Sequence, residues 1–267
     1  MNVHSESGPT YRYDALVLAA GRGPDDPMAK AYEVSHKCSI PVGGVPMLVR
    51  VLRTLAACPL IDEITVSIDR PDIGAALAAE AGVKARIISS DRSAPASVIA
   101  AVEKHGARLP LLVTTADHAL LSAEMVDYFI RMSAQSGADL TAGLATAGTI
   151  LEAYPQSKRT FLQFGETKVS GCNLFALNDA TGLKAIAFWD RLDQLRKKPL
   201  RLIAAFGVKP LLLYATGRLT LERAFGEASR RLRLSARPVL MPFAEAAIDV
   251  DKPADKELVE EILVSRA

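Results

Sequence analysis

Short apolar runs alternate with helical patterns along the first half of the chain, and this alternation most constrains how the chain can fold. Each run has the length and apolar content of a buried strand, and helical spacing of apolar residues follows it. Strands that alternate with helices form βαβ units, so we expect an α/β, Rossmann-like fold with three layers and a mainly parallel sheet. The predicted strands are 14–20, 63–68, 85–88, 111–115 and 140–144, and the predicted helices are 46–57, 72–81, 96–105 and 122–134.

The second half departs from this alternation. Residues 184–237 predict a helical insertion that carries roughly nine more basic than acidic residues. Within it, residues 199–214 are apolar with interspersed basic residues, which fits either contact with a membrane surface or a buried helix pair, and we favour burial. Around the insertion we expect a strand at 168–177 that is interrupted at Ser170 and Gly171, strand-like character at 238–249 and an amphipathic helix at 253–264.

The composition excludes several classes of protein. A net charge of +2 lacks the basic excess of a general nucleic-acid binder. Cys38, Cys58 and Cys172 include no CxxC pair, which fits a reducing compartment. No stretch approaches the roughly 18 uninterrupted apolar residues of a membrane-spanning helix. We therefore expect a soluble cytoplasmic protein that neither crosses a membrane nor binds nucleic acid.

The first predicted strand runs into a glycine loop with the sequence LAAGRG. Glycines let the backbone approach an anion, and consecutive amide groups then point at phosphate oxygens. The spacing matches neither the dinucleotide fingerprint GxGxxG nor the Walker sequence GxxxxGK[ST]. Two interpretations remain at this point: a phosphate-binding loop, or a tight turn after a strand. The loop consists of Leu18, Ala19, Ala20, Gly21, Arg22 and Gly23.

Lys37 follows the loop and precedes the segment PVGGVPML, residues 41–48. A lysine near a glycine loop can neutralise the charge of a triphosphate. Arg22 and Lys30 are rivals for this role, and a solvated surface position is the usual fate of a lysine. The motif therefore indicates a nucleotide site without deciding which cation serves it.

The order of these motifs resembles the MobA-like superfamily, which contains the molybdenum-cofactor and sugar-phosphate nucleotidyltransferases. LAAGRG, a lysine and PVGGVPML at the start of a helix are similar to the opening motif of that family. LLVTTADHALL is similar to the segment that carries its metal-binding aspartate, here Asp117. AIDVDKPADKEL resembles its closing segment, and SGCNLF resembles the segment beside the acceptor. The resemblance is good over about 14–117 and returns at about 170–177 and 247–258.

The resemblance implies a nucleotidyltransferase that moves NMP from an NTP to a phosphorylated small molecule and releases pyrophosphate. CTP and GTP are favoured by family habit. Lys37, Asp117 and Arg22 would form the catalytic centre, and Ser97 in APASV would lie beside the base. Lys158, Arg159, Gly171, Asn173 and Lys197 would bind the acceptor, although a solvated surface explains each basic residue equally well.

A Mg²⁺ ion is the implied cofactor, and Asp117 is its first ligand. Mg²⁺ takes few carboxylates and completes its coordination with phosphate oxygens and water. Asp249 and Asp251 are both candidates for the second carboxylate, with a slight preference for Asp249 because it ends a strand-like run. All three also fit turn-forming positions near helices. A phosphorylated acceptor is already deprotonated and needs no base, so we expect His118 to have a supporting or structural role. We expect Cys172 to be a small packed residue rather than a nucleophile.

These expectations define one domain over 14–267 after a flexible leader over 1–13. Its nucleotide-binding half is about 14–145, and its acceptor-binding half is about 146–267. The chain departs from the family in the longer loop between Gly23 and Lys37, whose Asp25, Asp26 and Glu33 are unusual beside phosphates. Two alternatives remain: a glycosyltransferase of similar GT-A fold that uses a sugar nucleotide, and a nucleotide-binding module without catalysis.

Overall fold

The structure, a computed structural model, describes residues 11–21, 23, 25–192 and 207–266. Its centre is a mostly parallel sheet of eight strands flanked by helices, which confirms the predicted α/β fold. A separate two-stranded hairpin, β2–β3, precedes the second helix. The strands are β1 (Tyr13–Leu18), β2 (Pro41–Val42), β3 (Val45–Pro46), β4 (Ile61–Ile68), β5 (Ala85–Ser89), β6 (Leu111–Thr115), β7 (Leu140–Thr146), β8 (Leu162–Phe164), β9 (Thr167–Leu177) and β10 (Ala236–Leu240).

Several of the helices begin where a polar side chain satisfies free backbone amides. Ser122 is the N-cap of α5, and its hydroxyl accepts a hydrogen bond from the Met125 amide. Ser93 caps α4 in the same way. The α-helices are α1 (Pro27–Ala31), α2 (Met47–Ala57), α3 (Pro71–Ala81), α4 (Ala94–Glu103), α5 (Ala123–Gln135), α6 (Ala147–Ala153), α7 (Leu183–Leu192), α8 (Val208–Ala215), α9 (Leu221–Leu232) and α10 (Pro253–Ser265).

The sheet has the strand order β5-β4-β1-β6-β9-β7-β10, with β8 paired to β9. β1 lies between β4 and β6 and is parallel to both. β9 is antiparallel to β6, β7 and β8, and β10 is parallel to β7. The parallel strands β1, β4 and β6 therefore present their carboxyl ends at one edge, where α/β sheets place ligands.

The side chains of β1 alternate between the two faces of the sheet. Ala15 and Val17 pack in the hydrophobic cluster that contains Leu52 of α2 and Phe129 of α5. Leu16 points the other way, into a second cluster formed with α4 and α7. All three β1 residues are fully buried. A strand covered on both faces needs a continuous apolar sequence, which explains the run that predicted it.

The largest departures from the predicted elements lie in the second half. β9 continues through Ser170 and Gly171, where an interruption was expected, so that prediction was wrong. The irregularity lies at Asn173, whose φ is 49°, and there the register against β7 shifts. β8 and α6 occupy a stretch in which no element was predicted. The strand predicted over 238–249 is β10 followed by a 3₁₀ helix, Ala244–Ala247.

The described part of the basic insertion is mostly helical, in α7, α8 and α9, and its last two residues begin β10. Residues 193–206 lie outside the described part of the chain, as does most of the predicted leader. Val208 and Leu212 of α8 are 72% and 61% exposed, so the burial favoured for this segment does not hold for them. Within the described residues, no helix is long and apolar enough to cross a membrane.

We predict that Phe129→Ala destabilises the fold by about 3–5 kcal/mol, because it removes a large, fully buried side chain from the core between α5 and the sheet. Chemical denaturation followed by circular dichroism measures the change. Met132→Ala is the matched control on the same helix. Met132 is 39% exposed, so its truncation should cost less than about 1 kcal/mol. Equal losses in the two variants would contradict the assignment of the core.

Candidate active site

Three carboxylates from two distant parts of the chain meet at the carboxyl edge of the sheet. Asp117 follows β6, and Asp249 and Asp251 precede α10. Each offers one oxygen, and these oxygens lie within 4.8 Å of one another. The Val250 amide donates to the Asp117 carbonyl at 3.0 Å and joins the two segments. The structure thus brings together the residues predicted to hold a metal ion.

The ammonium group of Lys37 lies between two of these carboxylates. Its Nζ donates to Asp117 Oδ2 and to Asp251 Oδ1, at 2.7 Å in each case. Burial alone would lower the pKa of Lys37, but the two carboxylates outweigh it and the pKa is raised. The lysine is therefore a fixed positive charge at the centre of the acidic cluster.

Asp117 and Asp249 are oriented by neighbouring side chains. Thr115 Oγ1 donates to Asp117 Oδ1 at 2.6 Å. Asn173 Nδ2 donates to Asp249 Oδ2 at 2.9 Å, and the Arg159 guanidinium forms an ion pair with the same carboxylate. Burial raises the pKa of Asp249, Arg159 opposes this shift, and the charge of Asp117 adds to it. Because burial and the neighbouring acids disfavour the ionised form of Asp249, a cation bound beside it would stabilise that form.

The chemistry of this cluster fits a small divalent ion. Carboxylate oxygens are hard ligands of the kind that Mg²⁺ prefers, and the ligand oxygens are close enough to share one ion. Hydrogen bonds to Asp117 and Asp249 hold these carboxylates in place, as partners behind metal ligands usually do. Each of their oxygens accepts one bond within the protein and keeps a lone pair for a further ligand.

A buried histidine shapes the glycine loop. The side chain of His36 is 4% exposed, and its Nε2 lies 2.9 Å from Asp69 Oδ1. Its Nδ1 accepts a hydrogen bond from the Cys38 amide at 3.2 Å. The ring proton is therefore on Nε2, which donates a hydrogen bond to Asp69. The Gly21 amide donates to the same oxygen of Asp69 at 2.8 Å. Burial tends to raise the pKa of Asp69, but the hydrogen bonds from Gly21 and His36 outweigh this effect and the pKa is lowered.

This contact explains why residue 21 is glycine. A Cβ atom at Gly21 would lie 2.8 Å from His36 Nε2, closer than real contacts allow. Gly23 has a φ of 82°, which glycine adopts at low cost. Because the Gly21 amide is bonded to Asp69, it is not among the donors that this conformation offers to a phosphate.

Two acidic residues of the long loop, Asp25 and Asp26, have structural partners. Asp26 caps α1 by accepting from the amides of Met28 and Ala29. Asp25 pairs with Lys30 at 2.6 Å on the exposed surface. Lys30 is therefore engaged away from the carboxylate cluster, and of the two lysines considered, Lys37 is the one that lies in it. Arg22, the other rival, lies outside the described residues.

The remaining predicted residues fall into two groups. Arg159 and Asn173 reach the cluster through Asp249. Lys158 and Gly171 are exposed and lie on the loop before β8 and on β9. Ser97 is buried in α4, where its hydroxyl accepts the Asp91 amide at 2.9 Å. Lys197 lies outside the described part of the chain. Their roles in binding stay predictions.

His118 and Cys172 lie next to predicted site residues but are electrically neutral. Burial lowers the pKa of His118 to about 4. Burial also raises the pKa of Cys172 to about 12, so its thiol keeps its proton. Both side chains are almost completely inaccessible to solvent. These findings agree with the structural roles expected for them.

Sequence reasoning missed His36, Asp69 and Thr115. Asp69 directly follows β4, at the sheet edge where α/β proteins place ligands, so this position in the sequence is the signal that could have found it. His36 precedes Lys37 in the chain, and its position gave no signal by itself because a lone histidine is usually structural. Thr115 was included in a predicted strand, but its hydroxyl orients the aspartate two residues later.

The sequence profile of the MobA-like NTP transferase domain matches residues 15–233. The chain belongs to this family. The match covers the glycine loop, Lys37 and Asp117, while Asp249 and Asp251 lie beyond it. No curated protein matches this MobA-like NTP transferase.

Solved structures similar to this MobA-like NTP transferase share its fold. A hypothetical transferase from Thermus thermophilus has 27% identity and a TM-score of 0.75, with 92% of this chain and 99% of that chain covered. A CMP:2-keto-3-deoxy-manno-octonic acid synthetase complexed with CTP has 12% identity and a TM-score of 0.58, with coverage of 96% and 100%. A 4-diphosphocytidyl-2C-methyl-D-erythritol synthase from Anaerococcus prevotii has 14% identity and a TM-score of 0.57, with the same coverage.

We predict that Gly21→Ala destabilises the protein by about 1–3 kcal/mol, because the methyl group displaces His36 from Asp69. In a His36→Ala background the same substitution should cost less than about 1 kcal/mol, since the clash is gone. Urea denaturation of the two single variants and the double variant gives the coupling free energy.

Gly226→Ala is the control for the double-mutant cycle. A Cβ atom at Gly226, inside α9, would meet nothing within 4 Å, so alanine should be neutral or slightly stabilising there. If Gly21→Ala costs the same with and without His36, the loop is not shaped by the histidine.

Proposed function

We propose that this protein transfers NMP from an NTP, with CTP or GTP favoured, to a phosphorylated small-molecule acceptor and releases pyrophosphate. The observation that carries the proposal is the cluster of Asp117, Asp249 and Asp251 around Lys37, at the sheet edge beside the glycine loop. Membership of the family supports nucleotidyl transfer. A structure of similar fold is complexed with CTP, which supports CTP as one of the two favoured nucleotides.

We assign Asp117 and Asp249 as the ligands of a Mg²⁺ ion. Asp249 is preferred over Asp251 because Arg159 and Asn173 fix its carboxylate, whereas the side chain of Asp251 is 48% exposed and contacts Lys37. When bound, Mg²⁺ supplies positive charge to the phosphate oxygens. Arg159 and Asn173 act through Asp249 and hold it in position.

The reaction needs positioning and charge neutralisation more than a base. An oxygen of the acceptor phosphate attacks the α-phosphorus in line and forms a new P–O bond. The bond from the α-phosphorus to the bridging oxygen breaks, and pyrophosphate leaves with that electron pair. Lys37, Arg22 and those amides of the glycine loop that are not bonded to Ser67 or Asp69 neutralise the charge that develops on pyrophosphate.

The two halves of the domain divide the substrates in this proposal. The nucleotide binds to the half at about 14–145, beside the glycine loop residues Leu18, Ala19, Ala20, Gly21 and Gly23 and beside Ser97. Because the Ala19 and Gly21 amides and the Ser97 hydroxyl are bonded within the protein, these three residues shape the site rather than donate to the nucleotide. The acceptor binds to the half at about 146–267. Lys158 and Gly171 are exposed, which leaves them accessible to the acceptor. With Lys197 and Arg159, Lys158 supplies the cations that a phosphorylated acceptor requires.

We predict that Asp117→Asn lowers the rate of pyrophosphate release by at least about 100-fold, because it removes a negative ligand from the cation site and keeps the size of the side chain. The assay supplies Mg²⁺, each of the four NTPs and a panel of sugar, alditol and cofactor phosphates. Asp249→Asn should cost more than Asp251→Asn. Asp25→Asn is the control, since Asp25 is an exposed acid of the loop.

Three outcomes would contradict the proposal. Undiminished activity of Asp117→Asn would overturn the metal assignment. Turnover of UDP- or GDP-sugars without NTP turnover would show a glycosyltransferase. Calorimetric binding of NTPs that is independent of Mg²⁺ and is followed by no turnover would show a nucleotide-binding module.

We predict that Lys37→Met tightens the binding of Mn²⁺ by about ten-fold in the absence of nucleotide, because the ammonium group competes for the carboxylates that hold the ion. The same variant should lose nucleotidyl transfer. Titration of Mn²⁺ followed by electron paramagnetic resonance measures the affinity. Lys30→Met is the matched control, because it removes a lysine that pairs with Asp25. Equal or weaker Mn²⁺ binding in Lys37→Met would exclude this competition.

A further inference from the structure

An arginine-lined pocket lies apart from the carboxylate cluster. It has a volume of about 260 Å³, and its lining includes Arg50 and Arg53 of α2, Arg266 after α10, and Ser122 at the start of α5. None of the cluster carboxylates and neither lysine of the loop is among its lining residues. The pocket also borders residues 119–121, which follow Asp117 closely in the chain. We define these residues as the arginine pocket.

Two of the three guanidinium groups contact only uncharged acceptors. Arg50 Nε donates to the Val42 carbonyl at 2.7 Å, and Arg53 donates to the Glu80 carbonyl at 3.0 Å. Within the described part of the chain, neither forms an ion pair. Arg266 is the exception, since it pairs with Glu245. The pocket therefore carries more positive charge than the carboxylate in contact with it can neutralise.

The positive charges in the pocket repel one another. Burial lowers the pKa of Arg50, and repulsion from Arg53 lowers it further, although Glu260 raises it in part. Ser122 is the N-cap of α5, so the positive end of that helix dipole adds to the same field. An anion in the pocket would offset all of these charges at once.

We propose that the arginine pocket binds a small anion that carries one or two phosphate groups, at a site separate from the proposed NTP site. Guanidinium groups present paired N–H donors that match phosphate oxygens. Arg53 and Arg266 are exposed, which leaves the pocket open to a ligand from solution. The volume of about 260 Å³ accommodates a phosphate or a pyrophosphate.

Isothermal titration with inorganic phosphate and with pyrophosphate, in buffer without divalent metal, tests the proposal. Without a divalent ion the three carboxylates of the active site repel an anion, so the native protein should bind at least one of the two at a single saturable site. Arg53→Gln should weaken this binding by about ten-fold or more, because a charge-assisted bond is lost. Arg53→Lys should recover only part of it, since lysine keeps the charge but not the paired donors.

Two variants separate the pocket from other anion sites. Lys37→Met removes the cation of the proposed active site and should leave the binding unchanged. Arg131→Gln removes an exposed arginine of α5 that pairs with Asp127 outside the pocket, and it should also have no effect. Binding that is lost in Lys37→Met but kept in Arg53→Gln would assign the anion to the active site and overturn the proposal. Absence of binding in the native protein, or equal affinity for citrate, would also overturn it.

Discussion

The salt bridges of Lys37 are the interaction on which the arrangement of the site depends. Asp117 and Asp251 come from segments more than a hundred residues apart, and their ligand oxygens lie within 4.8 Å of each other and of Asp249. Two such charges repel by roughly 4 kcal/mol at an effective dielectric constant near 20. A cation between them converts this repulsion into attraction, so the segment after β6 and the segment before α10 can stay together in the absence of a metal ion.

The other side of the cluster is held by different means. Arg159 lies on the loop between α6 and β8, and Asn173 lies at the irregular position of β9. Both reach Asp249, which is therefore fixed by groups that do not depend on Lys37. The cluster thus combines a rigid carboxylate, Asp249, with two carboxylates that share the long, unbranched side chain of Lys37 as a partner. If a metal ion replaced the ammonium group of Lys37, Asp249 would therefore stay in place.

Much of this site follows from strand order, and the rest depends on packing that no short pattern records. Asp117 was predicted from its resemblance to the metal-binding aspartate of the family, and its position agrees with the rule that an acid after a buried strand lies at the ligand edge of a parallel sheet. Asp69 satisfies the same rule after β4, yet its role became visible only when the structure placed Gly21 and His36 against it. The course of β9 was mispredicted because Ser170 and Gly171 are weak strand formers, and their pairing with Ala145 and Leu144 of β7 overrides that preference.

The long loop before Lys37 does not disturb the site, because its two ends are fixed independently of its length. Asp26 caps α1 within the loop, and His36 anchors the end of the loop on Gly21 and Asp69. His36 also caps the 3₁₀ helix, Lys37–Ser39, so the residue that shapes the glycine loop directly precedes the lysine of the cluster. Extra residues in a closed loop cost little, since closure entropy grows only with the logarithm of length. The spacing from Gly23 to Lys37 is therefore free to vary, whereas the contact between residue 21 and His36 is not.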